Sequence, residues 1–143
     1  MIGPLVAVLG GAAVGIERQW SGHAEGPSAH FAGVRTFAML GAIAGLAGWL
    51  VKIAPVIAAL LVAGAVAMIV AAYVASSSRD VDGTTEVAAL LLIAAGVLSG
   101  MGLSRLASGA IAVDVMVLVE KSRLHSFVRR SMIGICGRAS ASQ

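Results

Sequence analysis

The stretch IAPVIAALLVAGAVAMIVAAYVASSS, residues 53–78, contains no charged side chain. A helix needs roughly 20 apolar residues to cross about 30 Å of hydrocarbon, and this stretch exceeds that length. Inside a bilayer the backbone N–H and C=O groups must bond to each other, which a helix achieves within one segment. The stretch therefore predicts a transmembrane α-helix, and its flanks decide the rest of the fold.

Charged residues separate four further apolar stretches on either side of this one, which are residues 1–16, 36–51, 87–104 and 106–119. The two stretches before it are short for a crossing, so Glu17, Arg18 and Arg35 are expected to enter partly, with the arginine heads snorkelling to the interface. The pattern predicts an all-α, polytopic transmembrane helical bundle of about five helices. Their expected ranges are 1–18, 34–51, 54–77, 85–104 and 106–120.

The composition excludes an ordinary soluble domain. Charged residues make up 12% of the chain, whereas about a quarter is usual in soluble proteins. The net charge of +3 does not indicate nucleic-acid binding, because the basic residues fall at helix ends and in the last third of the chain. The expected surroundings are the lipid bilayer.

The placement of lysine and arginine predicts the orientation, since basic residues concentrate in cytoplasmic loops. With five crossings and the N-terminus outside, only Lys52 and Arg105 lie outside. The eight cytoplasmic basic residues are then Arg18, Arg35, Arg79, Lys121, Arg123, Arg129, Arg130 and Arg138. With four crossings the ten basic residues would be divided more evenly between the two sides of the membrane. We therefore expect five crossings, with the N-terminus outside and the C-terminus inside.

Small residues recur at every fourth position and thus share one helix face. The rows are Gly3, Ala7, Gly11 and Gly15; Gly41 and Gly45, with Ala44 and Gly48 beside them; Ala63, Ala67, Ala71 and Ala75; and Gly96 and Gly100. They predict close packing between helices of one chain, with a dimer interface or a pore lining as the alternative.

A polar cluster is expected at the cytoplasmic ends of the first, second and fourth helices. Pairing of opposite charges between helices is the leading interpretation, with Asp82 as an N-cap and Glu86 in the first turn of its helix. The alternative is a hydrated divalent cation held by one or two carboxylates. The candidate ligands would be Glu17, Asp80, Asp82 and Glu86.

Asp114 is the one charged residue well inside an apolar stretch. At a helix centre an aspartate raises the free energy of membrane insertion by roughly 2.5–3.5 kcal/mol. The apolar neighbours in residues 106–119 contribute about as much in the opposite direction, so the segment alone is near break-even. The fifth helix should therefore insert by packing on its neighbours. Asp114 is predicted to face the bundle interior, either as part of an ion or proton path or as a hydrogen-bonded structural residue.

Motifs for soluble catalysis are missing from the sequence, which contains no nucleotide-binding loop, GxSxG or HExxH. His23, Glu25 and His30 match no specific zinc spacing, and Cys136 has no base near it in sequence. We expect no enzymatic activity and no cofactor.

Three segments in order resemble the MgtC/SapB family of bacterial inner-membrane proteins. They are GAAVGIERQW (residues 11–20), GVRTFAMLGAIAGL (residues 33–46) and DVDGTTEVAALLLIAAGVLSGMG (residues 80–102). The third segment is most similar to a longer subgroup that carries a second membrane domain of unknown function. The resemblance covers about residues 1–130, whereas residues 131–143 are atypical and are expected to form a tail outside the module, as in a truncated version of a longer protein.

The resemblance implies a five-helix module with a cytoplasmic C-terminus and a set of family-typical polar-cluster positions. These positions are Gly15, Glu17, Arg18, Gly33, Arg35, Thr36, Thr84, Thr85 and Glu86. It also implies a link to magnesium homeostasis and stress, and regulation or binding of membrane partners. The alternative is an ion or solute transporter or channel subunit, acting as a homo-oligomer or with a second domain.

Overall fold

The computed structural model describes residues 2–20, 33–76 and 83–120, and all structural statements concern these residues. They form five helices and no strand, which confirms the all-helical prediction. The helices are α1 (Ile2–Trp20), α2 (Val34–Leu50), α3 (Pro55–Ser76), α4 (Thr84–Gly100) and α5 (residues 104–120).

Helices α1 and α2 run antiparallel at the centre of the bundle and approach each other through glycine. A Cβ atom added at Gly11 would collide with the backbone of Phe37, and one added at Gly41 would collide with the backbone of Ala7. Only a residue without a side chain allows so short a separation, which brings many backbone atoms into contact. The predicted packing role of the first small-residue row is therefore confirmed.

Helix α4 packs beside α2 by the same means and runs parallel to it. A Cβ atom at Gly96 would lie 2.6 Å from the Cβ of Ala44, and one at Gly48 would meet the backbone of Val97. The core then grows around these contacts, with Phe37, Leu40 and Leu92 fully buried. Intramolecular packing thus accounts for the small residues of α2 and α4.

Helix α3 differs from the prediction made for its small-residue row. Ala63, Ala67, Ala71 and Ala75 are all exposed, so this row does not pack against the bundle. The helix contacts its neighbours through Ala58, Ala65 and Ile69 instead. A helix that is apolar on every side carries no signal for which side faces the protein, and regular spacing of alanine alone selects the wrong one.

Gly102 ends α4 earlier than the sequence suggested, at Gly100 rather than near residue 104. Its φ angle of 94° is left-handed, a conformation that glycine adopts without a steric penalty. The N–H of Leu103 bonds to the carbonyl of Leu98 at 2.9 Å, and the N–H of Gly102 to that of Ser99 at 3.0 Å. These two bonds form a Schellman motif, which turns the chain sharply into α5.

The outer surface of the bundle is apolar. Large hydrophobic side chains such as Leu5, Leu60, Val113 and Met116 are at least 60% exposed. In the described part of the chain, one helix segment, Pro55–Ala75, is both long and apolar enough to cross a bilayer unaided. Helices α2 and α4 are also apolar but have 17 residues each.

Candidate functional site

The C-terminal end of α1, the start of α2 and α4 and the second half of α5 meet at one end of the bundle, named here the polar end. Successive helices alternate in direction, which brings these segments together. A Cβ atom at Gly15 of α1 would lie 2.6 Å from the Cα of Val34, the first residue of α2. Gly33 is the N-cap of α2, and its carbonyl accepts a hydrogen bond from the N–H of Phe37 at 3.2 Å.

Arg18 lies inside the bundle and is 1% exposed. It continues the buried face of α1 that includes Ala7, Gly11 and Val14, because these positions fall on one side of a helix. Helical side chains lean toward the N-terminus, so a long side chain near the end of α1 reaches back into the bundle. The expectation that Arg18 snorkels outward was therefore wrong, whereas Arg35 at the start of α2 is exposed.

Asp114 is also buried, with 3% of its surface exposed. It shares the inward face of α5 with Ala107 and Leu118, which are buried as well. Helix α5 runs alongside α1, since a Cβ atom at Gly10 would contact the side chain of Ile111. This register places Asp114 slightly nearer the middle of the bundle than Arg18.

Arg18, Glu17 and Asp114 lie close enough together for their charges to interact. An opposite charge close by lowers the free energy of holding a carboxylate away from water. Arg18 thus provides a physical reason why a helix that carries Asp114 in its interior packs against α1.

Three carboxylate oxygens at the polar end are buried and accept no hydrogen bond from the described residues. They are Oε2 of Glu17, Oε2 of Glu86 and Oδ2 of Asp114. Glu86 lies in the first turn of α4, as predicted, where a negative charge complements the helix dipole. The N-cap of α4 is Gly83 and not Asp82, which corrects that part of the prediction. A buried acceptor without a donor is unfavourable by about 1–3 kcal/mol.

The other family-typical positions surround this group. Gly15 permits the contact with α2, and Thr36, Thr84 and Thr85 are half-buried near the starts of their helices. Asp80 and Asp82, two of the candidate metal ligands, lie outside the described residues. Within those residues, no three histidine, cysteine or acidic side chains come close enough together to hold a metal ion.

Ser99 contributes a polar contact at the opposite end of the bundle, which the sequence analysis did not single out. Its side chain is fully buried, and its hydroxyl donates a 2.8 Å hydrogen bond to the carbonyl of Gly3 in α1. A usable signal was present, since Ser99 lies between Gly96 and Gly100 in an apolar helix. A serine beside a small-residue row is a typical interhelical hydrogen-bond donor in a membrane.

An apolar outer surface, together with charged side chains buried at one end, indicates a small helical membrane protein. The chain belongs to the MgtC family, whose model matches residues 5–127. This confirms the family resemblance seen in the sequence, and with it a membrane protein associated with magnesium homeostasis. No curated protein and no solved structure matches the chain. The assignment to a longer subgroup stays a prediction.

Proposed function

We propose that this chain is a multi-pass inner-membrane protein whose five helices all cross the bilayer, with its polar end on the cytoplasmic side. The alternating helix directions support this, because they bring the ends of α1, α3 and α5 to one side. The distribution of lysine and arginine in the sequence supports the same orientation. Helices of 17 residues reach about 26 Å, which a thinned bilayer or flanking snorkelling residues accommodate.

In this role the protein acts without catalysis, by binding or regulating other membrane proteins in ion homeostasis or stress. The observation that carries the proposal is the two half-buried acids at the polar end, Glu17 and Glu86, each with a carboxylate oxygen that accepts no hydrogen bond from the described residues. A partner that supplies a lysine, an arginine or a backbone N–H group would satisfy such acceptors. Charge-assisted hydrogen bonds of this kind contribute about 1.5–3 kcal/mol each. The partner is therefore expected to present a basic segment at the cytoplasmic interface.

The test compares cross-linking of neighbouring membrane proteins in cells that carry the wild type, Glu17→Gln or Glu86→Gln. Each substitution keeps the size of the side chain but removes its negative charge. The yield of one specific cross-linked partner should fall about tenfold or more if one charge-assisted bond is removed. Glu120→Gln is the matched control, because Glu120 is an exposed acid near the same end. Equal cross-linking in all four proteins would contradict the proposal.

A second candidate function, a transporter or channel subunit, rests on a different observation. Asp114 is buried in the bundle interior, and its Oδ2 accepts no hydrogen bond from the described residues. Carboxylates in such positions often belong to ion or proton paths in membrane proteins. Five helices are few for a transporter, so this function would involve a homo-oligomer or a second domain.

Ion flux separates the two functions. Purified protein is reconstituted into liposomes, and the movement of protons, potassium and magnesium is followed with enclosed dyes. The partner-binding proposal expects no flux above that of empty liposomes. Flux that Asp114→Asn abolishes, in a protein that remains folded by circular dichroism, would overturn it in favour of transport.

A further inference from the structure

An apolar groove of about 630 Å³ lies at the end of the bundle opposite the polar end. It runs between the end of α2, the first half of α3 and the end of α4. Its walls consist of alanine, valine and proline side chains, among them Val51, Pro55, Ala63, Ala67 and Val97. Among the residues that the structure describes, no polar side chain lines it. The volume falls in the range of small-molecule binding sites, about 300–1,000 Å³.

The groove exists because α3 presents small side chains to it. Ala63 and Ala67 stand exposed on the groove side, while α3 touches the bundle through Ala65 and Ile69. Methyl groups do not fill the space that larger side chains would occupy between two helices. The small-residue row of α3 thus borders a groove and does not form a helix–helix contact in this chain.

The length of the groove matches one leaflet of a bilayer. Pro55 and Ala67 mark its two ends along α3, and a helix rises about 18 Å over that distance. Half of the hydrocarbon core measures about 15 Å. A single extended acyl chain anchored at the interface would therefore run along the groove to its inner end.

A further helix is a poor occupant for the same space. A helix is about 10–12 Å wide with its side chains, so it would enter the groove only with the side chains of one face. An acyl chain is much thinner and needs no hydrogen-bonding partner along its length. The dimensions favour a lipid chain over a second copy of this protein.

Basic residues lie at the mouth of the groove. Lys52 is exposed and stands in the turn between Val51 and Pro55, both of which line the groove. Arg105, at the start of α5, is exposed at the same end of the bundle. The acidic residues of the described part all lie in the last turn of α1, the first turn of α4 or the second half of α5. This end therefore attracts a negatively charged headgroup.

From these observations we propose that the groove binds one acyl chain of an anionic phospholipid, with the lipid phosphate held at Lys52. The site is separate from the polar end and from its proposed partner. Occupied, it would fill the gap beside α3 and fix that helix against α2 and α4.

The proposal is tested by native mass spectrometry of the protein released from nanodiscs of dioleoyl phosphatidylglycerol mixed equally with dioleoyl phosphatidylcholine. The wild type should retain one lipid, with phosphatidylglycerol preferred. Lys52→Gln should reduce that preference about fivefold, as expected for one basic residue near an anionic surface. Ala63→Leu with Ala67→Leu should abolish retention, because the added side chains fill the groove.

The matched control is Ala71→Leu with Ala75→Leu, which enlarges the same exposed row of α3 beyond the groove. This variant should retain lipid like the wild type. Wild-type protein without a retained lipid would overturn the proposal, and so would equal retention in both double variants. The proposal would also be overturned if the wild type and the control showed the mass of a dimer and the groove-filling variant did not. The groove would then be a dimer interface.

Discussion

Replacing Arg18 with methionine leaves Asp114 buried at 3% exposure with its positively charged neighbour removed. Methionine fills a similar volume, so the change is mainly electrostatic. Removal of one member of a buried charge pair destabilises a protein by about 3–5 kcal/mol. We therefore expect Arg18→Met to lower the free energy of unfolding by about 3–5 kcal/mol.

The double variant Arg18→Met with Asp114→Leu decides whether the pair is the cause. Asp114→Leu alone removes a negative charge near the buried Arg18 and should also be destabilising, by up to about 3 kcal/mol. Removing both charges leaves neither uncompensated, so the double variant should lie within about 1 kcal/mol of the wild type or above it. The two substitutions are thus expected to be coupled by several kcal/mol, whereas the effects of independent sites simply add.

The assay is reversible unfolding of the purified protein in mixed micelles, followed by circular dichroism. Arg105→Gln serves as the control, because Arg105 is an exposed basic residue at the opposite end and its loss should change stability by about 0.5 kcal/mol at most. The reasoning is refuted if the effects of Arg18→Met and Asp114→Leu add without coupling, or if Arg18→Met is no more destabilising than the control.

Three smaller predictions are read out by the same unfolding assay. Gly41→Ala should lower the free energy of unfolding by about 1–3 kcal/mol, because its Cβ collides with the backbone of α1. Gly64→Ala has open space around its Cβ and should be neutral or stabilising by up to about 1 kcal/mol. Equal effects of the two substitutions would contradict the close approach of α1 and α2. Ser99→Ala should cost about 0.6–1.7 kcal/mol through its lost interhelical hydrogen bond, and an unchanged stability would show that this bond contributes nothing. Gly102→Ala should cost about 1 kcal/mol because its φ angle of 94° disfavours a side chain, and a stabilising effect would count against the Schellman turn.

The number of helices and the packing of three of them could be read from the sequence. Charged residues interrupt the apolar stretches close to where the helices end, because charges are excluded from the hydrocarbon. The glycine rows of α1, α2 and α4 predicted close contacts, and Gly11, Gly41 and Gly96 form them. Glycine in a membrane helix has few uses besides close approach, which makes it a specific signal.

The sequence did not show which side of α3 faces the bundle, or which residue lies near Asp114. Alanine is small enough for a helix contact and apolar enough to face lipid, so the row from Ala63 to Ala75 did not distinguish the two. Arg18 was assigned to the interface from its position at a helix end. Its inward direction depends on the buried face of α1, and its nearness to Asp114 depends on the neighbouring position of α5. The inward direction has a local trace, because Arg18 lies three and seven positions after Gly15 and Gly11, whereas the position of α5 is set by tertiary packing and has none.

The measurement that most directly tests the central claim, five crossings with the polar end in the cytoplasm, uses reporter fusions at two sites. One reporter is inserted within residues 21–28, and the other is placed after residue 130. Each consists of alkaline phosphatase, active outside the cytoplasm, or green fluorescent protein, active inside it. The account predicts that both sites report the cytoplasm, because α2 to α5 lie between them and cross four times. Reporters on opposite sides of the membrane would contradict it, since at least one of the four helices between them, α5 with Asp114 being the expected one, would then fail to span.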